Sequence, residues 1–412
     1  MKKFVALLIA VCLAFALFTG CNNSAGAGED AAGADTSAPE AAVTDEGAAD
    51  AEDVAADAAA AEESAGIDLD ALYASHAPEE VVFSIDGEEL TWQDYYYWLY
   101  VQVSQIQSYF DQMQLYYGTM PAWTDEIDAE SGLTYFDVAM QQASAMVAQL
   151  YGIEKYAADN KVTLSAEDEE AIAAQLNSDM QALCGADAEE ADFDALLTET
   201  HLTRELYDRI NKDDRLYNRG YISAYGENGE KVADADAIKY LEDNGYLSAT
   251  HILLMTVDAE TRESLTEDEI AEKKATAEKL AKELQAIKDE KALAARFAEL
   301  KAEYCEDTGK QVYPDGYVFT EGTMVSEFEN GVKALSDYEV SDVIESSYGY
   351  HIIMRLPADA DRVISYASTG AAQTARTLYA TQAYGEAVAA YITAQDYGYA
   401  EDFVIDITAF VK

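Results

Sequence analysis

The sequence predicts an α+β fold in which a small segment of strands lies within a mainly helical chain. Alternating apolar residues from Val81 to Leu90, broken by an Asp-Gly turn, indicate a strand at the start of the folded part. Apolar residues at helical spacing then dominate until strand patterns return at Leu247–Met255 and Tyr348–Met354. Helical spacing resumes afterwards, so helices flank the strand-rich segment on both sides.

Four helices are predicted between the first strand and the second. Thr91 is the expected N-cap of the first helix, which carries many aromatic residues. The second helix covers residues 136–156, the third opens at Ser165 with Asp168, and the fourth surrounds residues 206–217.

Further helices are predicted in the second half of the chain. The stretch from Thr266 to Glu269 is a capping-box signature, and leucines at helical spacing follow it. After the strand that Pro357 ends, another helix is predicted at about residues 369–393. Apolar residues alternate in the tail, from Phe403 to Ile407.

The N-terminus has the order of a secretion signal. Lys2 and Lys3 precede an apolar run at 4–18, which is short for a membrane-spanning helix. Thr19-Gly20-Cys21 then resembles the lipobox of bacterial lipoproteins. The resemblance implies that residues 1–20 are removed and that Cys21 carries lipid at the extracytoplasmic face of the cell membrane. The alternative is an ordinary signal peptide with an incidental cysteine.

Residues 21–78 are predicted to be a disordered acidic tether, because few large apolar side chains are present to offset the entropy of ordering. The whole chain has a net charge of −53, and no Lys or Arg occurs between Cys21 and Lys155. This charge excludes nucleic acid and anionic headgroups as expected partners.

Two cysteines remain once Cys12 leaves with the signal and Cys21 is lipidated. Cys184 and Cys305 could pair in an oxidising compartment, but we expect two buried or free thiols because they lie in different predicted domains. No cysteine and histidine cluster has zinc spacing, so neither a metal nor another cofactor is predicted.

Residues 248–356 resemble a parvulin-type peptidyl-prolyl isomerase domain along nearly their whole length. Several ordered motifs at appropriate spacing carry this resemblance: 249–253, 297–300, 304–308, 322–329, 340–344 and 348–353. The resemblance implies a small antiparallel sheet with surrounding helices, at residues 246–358.

The same resemblance implies roles for individual residues. His251 and His351 would be the paired histidines of the centre, and Asp307 would lie near the substrate carbonyl. Met324 and Phe328 would line the prolyl pocket, on one face of a helix because they are four residues apart. The alternatives are core packing for the histidines, Met324 and Phe328, and a turn-forming role for Asp307.

One departure from the family pattern bears on activity. Where many parvulins carry Gly-Gly-Asp-Leu-Gly, residues 313–317 read Tyr-Pro-Asp-Gly-Tyr, so Gly316 replaces an apolar pocket wall. Tyr317 or Val318 could compensate. The alternative to an enzyme is therefore a holdase chaperone whose parvulin domain is inactive. Phosphoserine-proline specificity is not expected, because the loop 256–268 holds one basic residue, Arg262, among five acids.

The flanking regions resemble PrsA-like and SurA-like foldases. Residues 84–91 match the opening strand and helix start of that family. The resemblance implies that residues 79–245 and 359–412 form one chaperone module around the isomerase domain, with unfolded or partly folded exported polypeptides that contain X-Pro bonds as partners. A solute-binding lipoprotein is a third reading, but the chain lacks alternating strand-helix units around a cleft.

Overall fold

The computed structural model describes residues 66–127, 131–258, 261 and 263–412. The predicted signal segment, Cys21, most of the predicted tether and Arg262 lie outside the described residues. Helices and small antiparallel sheets confirm the α+β fold class. The chain divides into two compact units, of which the first holds residues up to 219 together with 387–412, and the second holds 220–386.

Helices and short strands follow one another along the described chain. The helices are α1 (Leu69–Tyr73), α2 (Trp92–Tyr117), α3 (Tyr135–Asp159), α4 (Ala166–Cys184), α5 (Glu190–Glu199), α6 (Arg204–Tyr225), α7 (Asp234–Asp243), α8 (Glu267–Gln285), α9 (Glu290–Tyr304), α10 (Ser326–Lys333) and α11 (Ala375–Ala389). The strands are β1 (Val81–Ile85), β2 (Glu88–Thr91), β3 (Leu247–Met255), β4 (Tyr317–Phe319), β5 (Ile344–Ser346), β6 (Gly349–Arg355), β7 (Ser365–Tyr366), β8 (Ala372–Gln373) and β9 (Tyr397–Tyr399).

Polar side chains begin the long helices where the sequence predicted them. Thr91 caps α2 and Ser165 caps α4, each in a capping box with an aspartate three residues later. In α4 that aspartate, Asp168, also accepts a hydrogen bond from Arg219 at 2.7 Å. These reciprocal bonds satisfy backbone N–H groups that a helix start otherwise leaves unpaired.

The C-terminal residues complete the sheet of the first unit. Strand β9 pairs antiparallel with β1, with Phe83 opposite Tyr399, and gives the order β2-β1-β9. The alternating residues after it form no regular strand: Phe403 is buried beside Trp92 and Ile407 begins a 3-10 turn. Residues 387–412 thus lie in the same compact unit as the N-terminal helices.

Part of the predicted tether, which ends at residue 78, is helical. Helix α1 buries Leu72 completely, and the Tyr73 ring stacks on His201 with 4.0 Å between centroids. A few apolar side chains between acidic residues are therefore enough to dock this segment, although its composition resembles the tether. The predicted helix at 369–393 was too long, because the hairpin of β7 and β8 occupies its first residues.

The second unit is built on a four-stranded antiparallel sheet with the order β4-β3-β6-β5. Helices α8 and α9 contribute to an apolar cluster with Ile252 and Ile352, while α10 contributes Phe328 to a cluster with Ala249 and Ile353. A third cluster joins α7, β4 and the start of α11 through Val232, Ala237, Leu241, Val318, Ala360, Ala375 and Ala380. This packing explains why the compact unit is wider than the predicted domain at 246–358.

Candidate active site

The register of β3 and β6 brings the two candidate histidines together. His251 pairs with Ile353, and Leu253 pairs with His351, so both histidines lie on the same face of the sheet at diagonal positions. Their ring centroids are 5.3 Å apart. Both are buried, with 7% and 3% of their surface exposed.

Asp307 reaches His251 because the chain after α9 follows the edge of β3. The Glu306 N–H donates to the Leu253 carbonyl at 2.8 Å, and the Leu253 N–H donates to the Cys305 sulfur at 3.4 Å. These two bonds hold the segment against the strand. The next side chain, Asp307, therefore meets the ring of His251, with 3.1 Å between Oδ2 and Nε2.

Both predicted roles of Asp307 occur together. Its Oδ1 accepts the Gly309 N–H at 2.9 Å and caps a short 3-10 turn, as a turn-forming aspartate does. Its Oδ2 accepts a hydrogen bond from the Tyr317 hydroxyl at 2.5 Å and also faces His251. The turn therefore orients the carboxylate that the site uses.

The three titratable groups at the centre differ in charge. Burial raises the pKa of Asp307, but hydrogen bonds from His251 and Tyr317 outweigh it, so the pKa lies well below its usual range. Burial lowers the pKa of His251, but contacts with Asp307 and Cys305 raise it above the ordinary value. Burial and then the charge of His251 lower the pKa of His351 to about 3. At a pH below the raised pKa of His251, a charged pair thus lies beside a neutral imidazole.

An apolar wall completes the centre. Phe328 is 2% exposed, and its ring packs edge-on against His251 at 5.1 Å and against His351 at 5.7 Å. Met324 belongs to the same apolar cluster but precedes α10, which begins at Ser326. The prediction that Met324 and Phe328 share a helix was therefore wrong, although both contribute to the same cluster.

The structure explains why position 316 is a glycine, which the sequence alone did not. Its φ is +100°, a conformation that side chains disfavour, and a Cβ there would lie 2.6 Å from the Ala249 carbonyl oxygen. A side chain at this position would therefore point at β3 and Leu356. The adjacent Tyr317 packs in the cluster of Phe328 instead, with its ring 5.7 Å from His251.

Sequence reasoning missed three groups at the centre. The sequence pattern indicates Tyr317 only as a possible replacement for the pocket wall and Cys305 only as a thiol, and it gives Ser346 no role. Ser346 Oγ lies 2.7 Å from His351 Nε2, a contact that the pairing of β5 with β6 creates. Only the position of Ser346 in a short strand before His351 could have indicated this contact.

Cys305 is buried beside His251, and neither Cys305 nor Cys184 forms a disulfide. Within the described ranges, no group of three or more His, Cys, Asp or Glu side chains could hold a metal ion. The centre thus consists of a buried ion pair, a neutral histidine and an apolar wall. Such a set can bind a proline ring and act electrostatically on the adjacent amide, whose rotation breaks no bond.

Comparison with known proteins identifies the segment that carries this centre. Residues 237–356 match the family model described as the PPIC-type PPIase domain. The chain is 44% identical over 68 residues to foldase protein PrsA 1 of Bacillus cereus, which is 16% of this chain and 24% of the relative. It is 32% identical over 163 residues to foldase protein PrsA of Staphylococcus aureus, or 39% and 45% of the two chains. The chain spans less than half the length of these curated relatives.

A solved structure is also similar. The crystal structure of PrsA from Bacillus subtilis aligns with 66% of this chain and 92% of its own, at 20% identity and a TM-score of 0.23. A likeness at this level adds nothing to the assignment, which depends on the family match and on the residues of the centre.

Acidification should destabilise the second unit through His351. Because its folded pKa is about 3 and its unfolded value is ordinary, the unfolded state binds the proton first as the pH falls below about 6.5. Stability is therefore lost from pH 6.5 downward, by about 2 kcal/mol at pH 5. His251 and Asp307 add little slope between about pH 5 and 5.5, because the raised pKa of His251 acts mainly above this window and the lowered pKa of Asp307 acts mainly below it.

The measurement is amide hydrogen exchange at Ile352 and Ile353, in the native chain and in His351→Gln, from pH 4 to 7. The variant should lose the difference in protection between pH 6.5 and pH 5. An equal pH dependence in both proteins would contradict the assigned charge state of His351.

Replacing Gly316 should be costly for a reason that a second glycine isolates. Gly316 and Gly322 both have positive φ, but a Cβ at Gly322 would have no neighbour within 4 Å. Gly322→Ala should therefore cost about 1 kcal/mol for backbone conformation alone. Gly316→Ala should cost about 3 kcal/mol, because overlap with Ala249 is added. Urea unfolding followed by circular dichroism measures both, and equal losses would contradict the proposed overlap.

Proposed function

We propose that this chain, whose residues 237–356 form a PPIC-type peptidyl-prolyl isomerase domain and which resembles PrsA foldases, is a lipid-anchored extracytoplasmic isomerase that assists the folding of exported proteins. The observation that carries the proposal is the position of His251, which lies within hydrogen-bond distance of Asp307 and packs against both His351 and Phe328. This arrangement offers an apolar seat for a proline ring directly beside a polar centre.

The reaction requires binding and electrostatics only. Rotation about an X-Pro bond has a barrier of about 18–20 kcal/mol, because planarity gives the amide its resonance. In the twisted state the carbonyl oxygen carries less negative charge. Asp307 near that oxygen disfavours the planar amide more than the twisted one, and Phe328 with Met324 holds the ring while the preceding residue rotates.

The holdase alternative loses the observation that favoured it. Gly316 suggested an open pocket wall, but its missing side chain would point at the Ala249 carbonyl, and Tyr317 packs beside Phe328. The observation therefore supports an intact centre.

Exposed apolar side chains support contact with unfolded polypeptides. The first half of α2 is core, since Trp92, Tyr95 and Trp98 are buried. Its C-terminal end differs: Leu115 is 77% exposed, and Tyr116 is 75% exposed. Adjacent exposed apolar residues are typical of surfaces that bind other chains.

The anchor remains a proposal from residues outside the described ranges. Support comes from Cys21 after an apolar run, followed by an acidic stretch that would hold the folded units away from the membrane. Two acyl chains on one cysteine are enough for stable anchoring. Among the described helices, none is long and apolar enough to cross a membrane.

The isomerase activity is tested with a soluble chain that begins at residue 22. This chain is added to X-Pro peptides, and their rate of cis-to-trans isomerisation is measured. Asp307→Ala and Phe328→Ala should each lower kcat/KM by about tenfold or more, equivalent to about 1.4 kcal/mol of transition-state binding. Lys333→Ala is the matched control, because Lys333 lies on the same helix as Phe328 but pairs with Glu321 at the surface. It should keep the native rate.

If the folded chain does not accelerate X-Pro rotation but still suppresses aggregation of unfolded proteins, the isomerase hypothesis is refuted and the holdase hypothesis is supported. Unchanged rates in Asp307→Ala and Phe328→Ala would refute their roles.

The anchor is tested by expressing the full chain in a bacterial host with an alkyne-labelled fatty acid. The native chain should take up label and sediment with membranes, whereas Cys21→Ser should do neither because its sulfur is absent. Cys184→Ser is the matched control and should behave like the native chain. Labelled Cys21→Ser protein would contradict the assignment.

A further inference from the structure

Tyr317 joins the centre through its hydroxyl, at the start of β4. The hydroxyl donates to Oδ2 of Asp307 at 2.5 Å, the same oxygen that lies 3.1 Å from Nε2 of His251. The other carboxylate oxygen accepts the Gly309 N–H. Two donors therefore share one oxygen, and each weakens the attraction that remains for the other.

Gly309 provides the space that this hydroxyl occupies. A Cβ at Gly309 would overlap with the Tyr317 hydroxyl and would lie 3.2 Å from Oδ1 of Asp307. The φ of Gly309 is not positive, so the backbone there admits other residues. The space, not the backbone conformation, makes glycine necessary while Tyr317 holds this position.

We infer that Tyr317, seated over Gly309, is a positioning residue that fixes the Asp307 carboxylate and limits how strongly His251 holds its proton. The inference deepens the proposed function, since it concerns the same isomerase centre. Without the phenol, Oδ2 would serve His251 alone, and the imidazolium–carboxylate pair would become tighter. The hydrogen bond from the phenol thus weakens the attraction between the Asp307 carboxylate and His251.

Several titratable groups surround Asp307 and affect its charge. Its titratable neighbours, beyond the turn that caps it, are His251 on β3, Tyr317 on β4, Lys301 on α9, Cys305 after α9 and His351 on β6. Burial, followed by the hydrogen bond with Asp307, raises the pKa of Tyr317, so the phenol stays protonated and remains a donor. Histidine has the ordinary pKa nearest neutral pH, and because the pKa of His351 is lowered to about 3, His251 is the histidine of this set that is expected to titrate near neutral pH.

The test is a pH titration of the histidine ring nitrogens by ¹⁵N NMR on the chain from residue 22. The chain has four histidines, and His76 and His201 belong to the other compact unit and serve as internal references. In Tyr317→Phe the midpoint of His251 should rise by about 0.5 to 1 pH unit, because one charge-assisted hydrogen bond to Asp307 is lost. Asp307→Asn should lower it instead.

Gly309→Ala approaches the same contact from the other side and should also raise the midpoint, because the added methyl displaces the hydroxyl. Tyr313→Phe is the matched control: its ring lies 5.3 Å from that of Tyr317, and its loss should leave the midpoint unchanged. An unchanged midpoint in Tyr317→Phe would overturn the inference, and a rise confined to Tyr317→Phe would overturn the role of Gly309. The same rise in Tyr313→Phe would also overturn it, because the effect would not then be specific to the hydroxyl on Asp307.

The titration is independent of turnover. If the chain does not accelerate X-Pro rotation, the proposed function fails while the titration still decides the role of Tyr317. If it is active, Tyr317→Phe should also shift the pH profile of kcat/KM in the direction of the titration, whereas a role in packing alone would lower the rate equally at every pH.

Discussion

Strands β3 and β6 pair antiparallel from Ala249–Arg355 to Met255–Gly349, and the centre of the second unit depends on this register. A shift of one residue would move His251 or His351 to the opposite face, where Ile252 and Ile352 pack under α8 and α9. Ile252 and Ile352 are fully buried there, so their packing stabilises the register that places the histidines together. The apolar core on one face of the sheet thus determines the polar geometry on the other.

A buried ion pair at such a site is stabilised by its neighbours. Charges removed from water are costly unless hydrogen bonds replace the lost hydration. Asp307 has three donors, from His251, Tyr317 and the Gly309 backbone, and this set keeps it ionised. His351 has no such compensation and stays neutral with Ser346 as its partner. The two histidines therefore differ in charge, because only His251 has a carboxylate within hydrogen-bond distance.

The composition of α2 also has different consequences along its length. Its N-terminal aromatic residues are buried, whereas Leu115 and Tyr116 near its end are exposed. Residues of the same kind thus serve the core at one end and face solvent at the other. Periodicity could not separate these roles, because the difference depends on where neighbouring elements end.

The sequence by itself determined the fold class, the long helices with their caps, the strands that carry both histidines, and the motif set that includes Asp307 and Phe328. These features depend on local spacing and on residue type, both of which can be read from the sequence. Only the tertiary structure decided three other features: the packing of α1 within the predicted tether, the pairing of β9 with β1, and the start of α10 after Met324. Each of them depends on contacts between residues that are distant in the sequence. The same holds for Gly316 and Gly309. Their small size has meaning only beside the Ala249 carbonyl and the Tyr317 hydroxyl, which the fold brings against them.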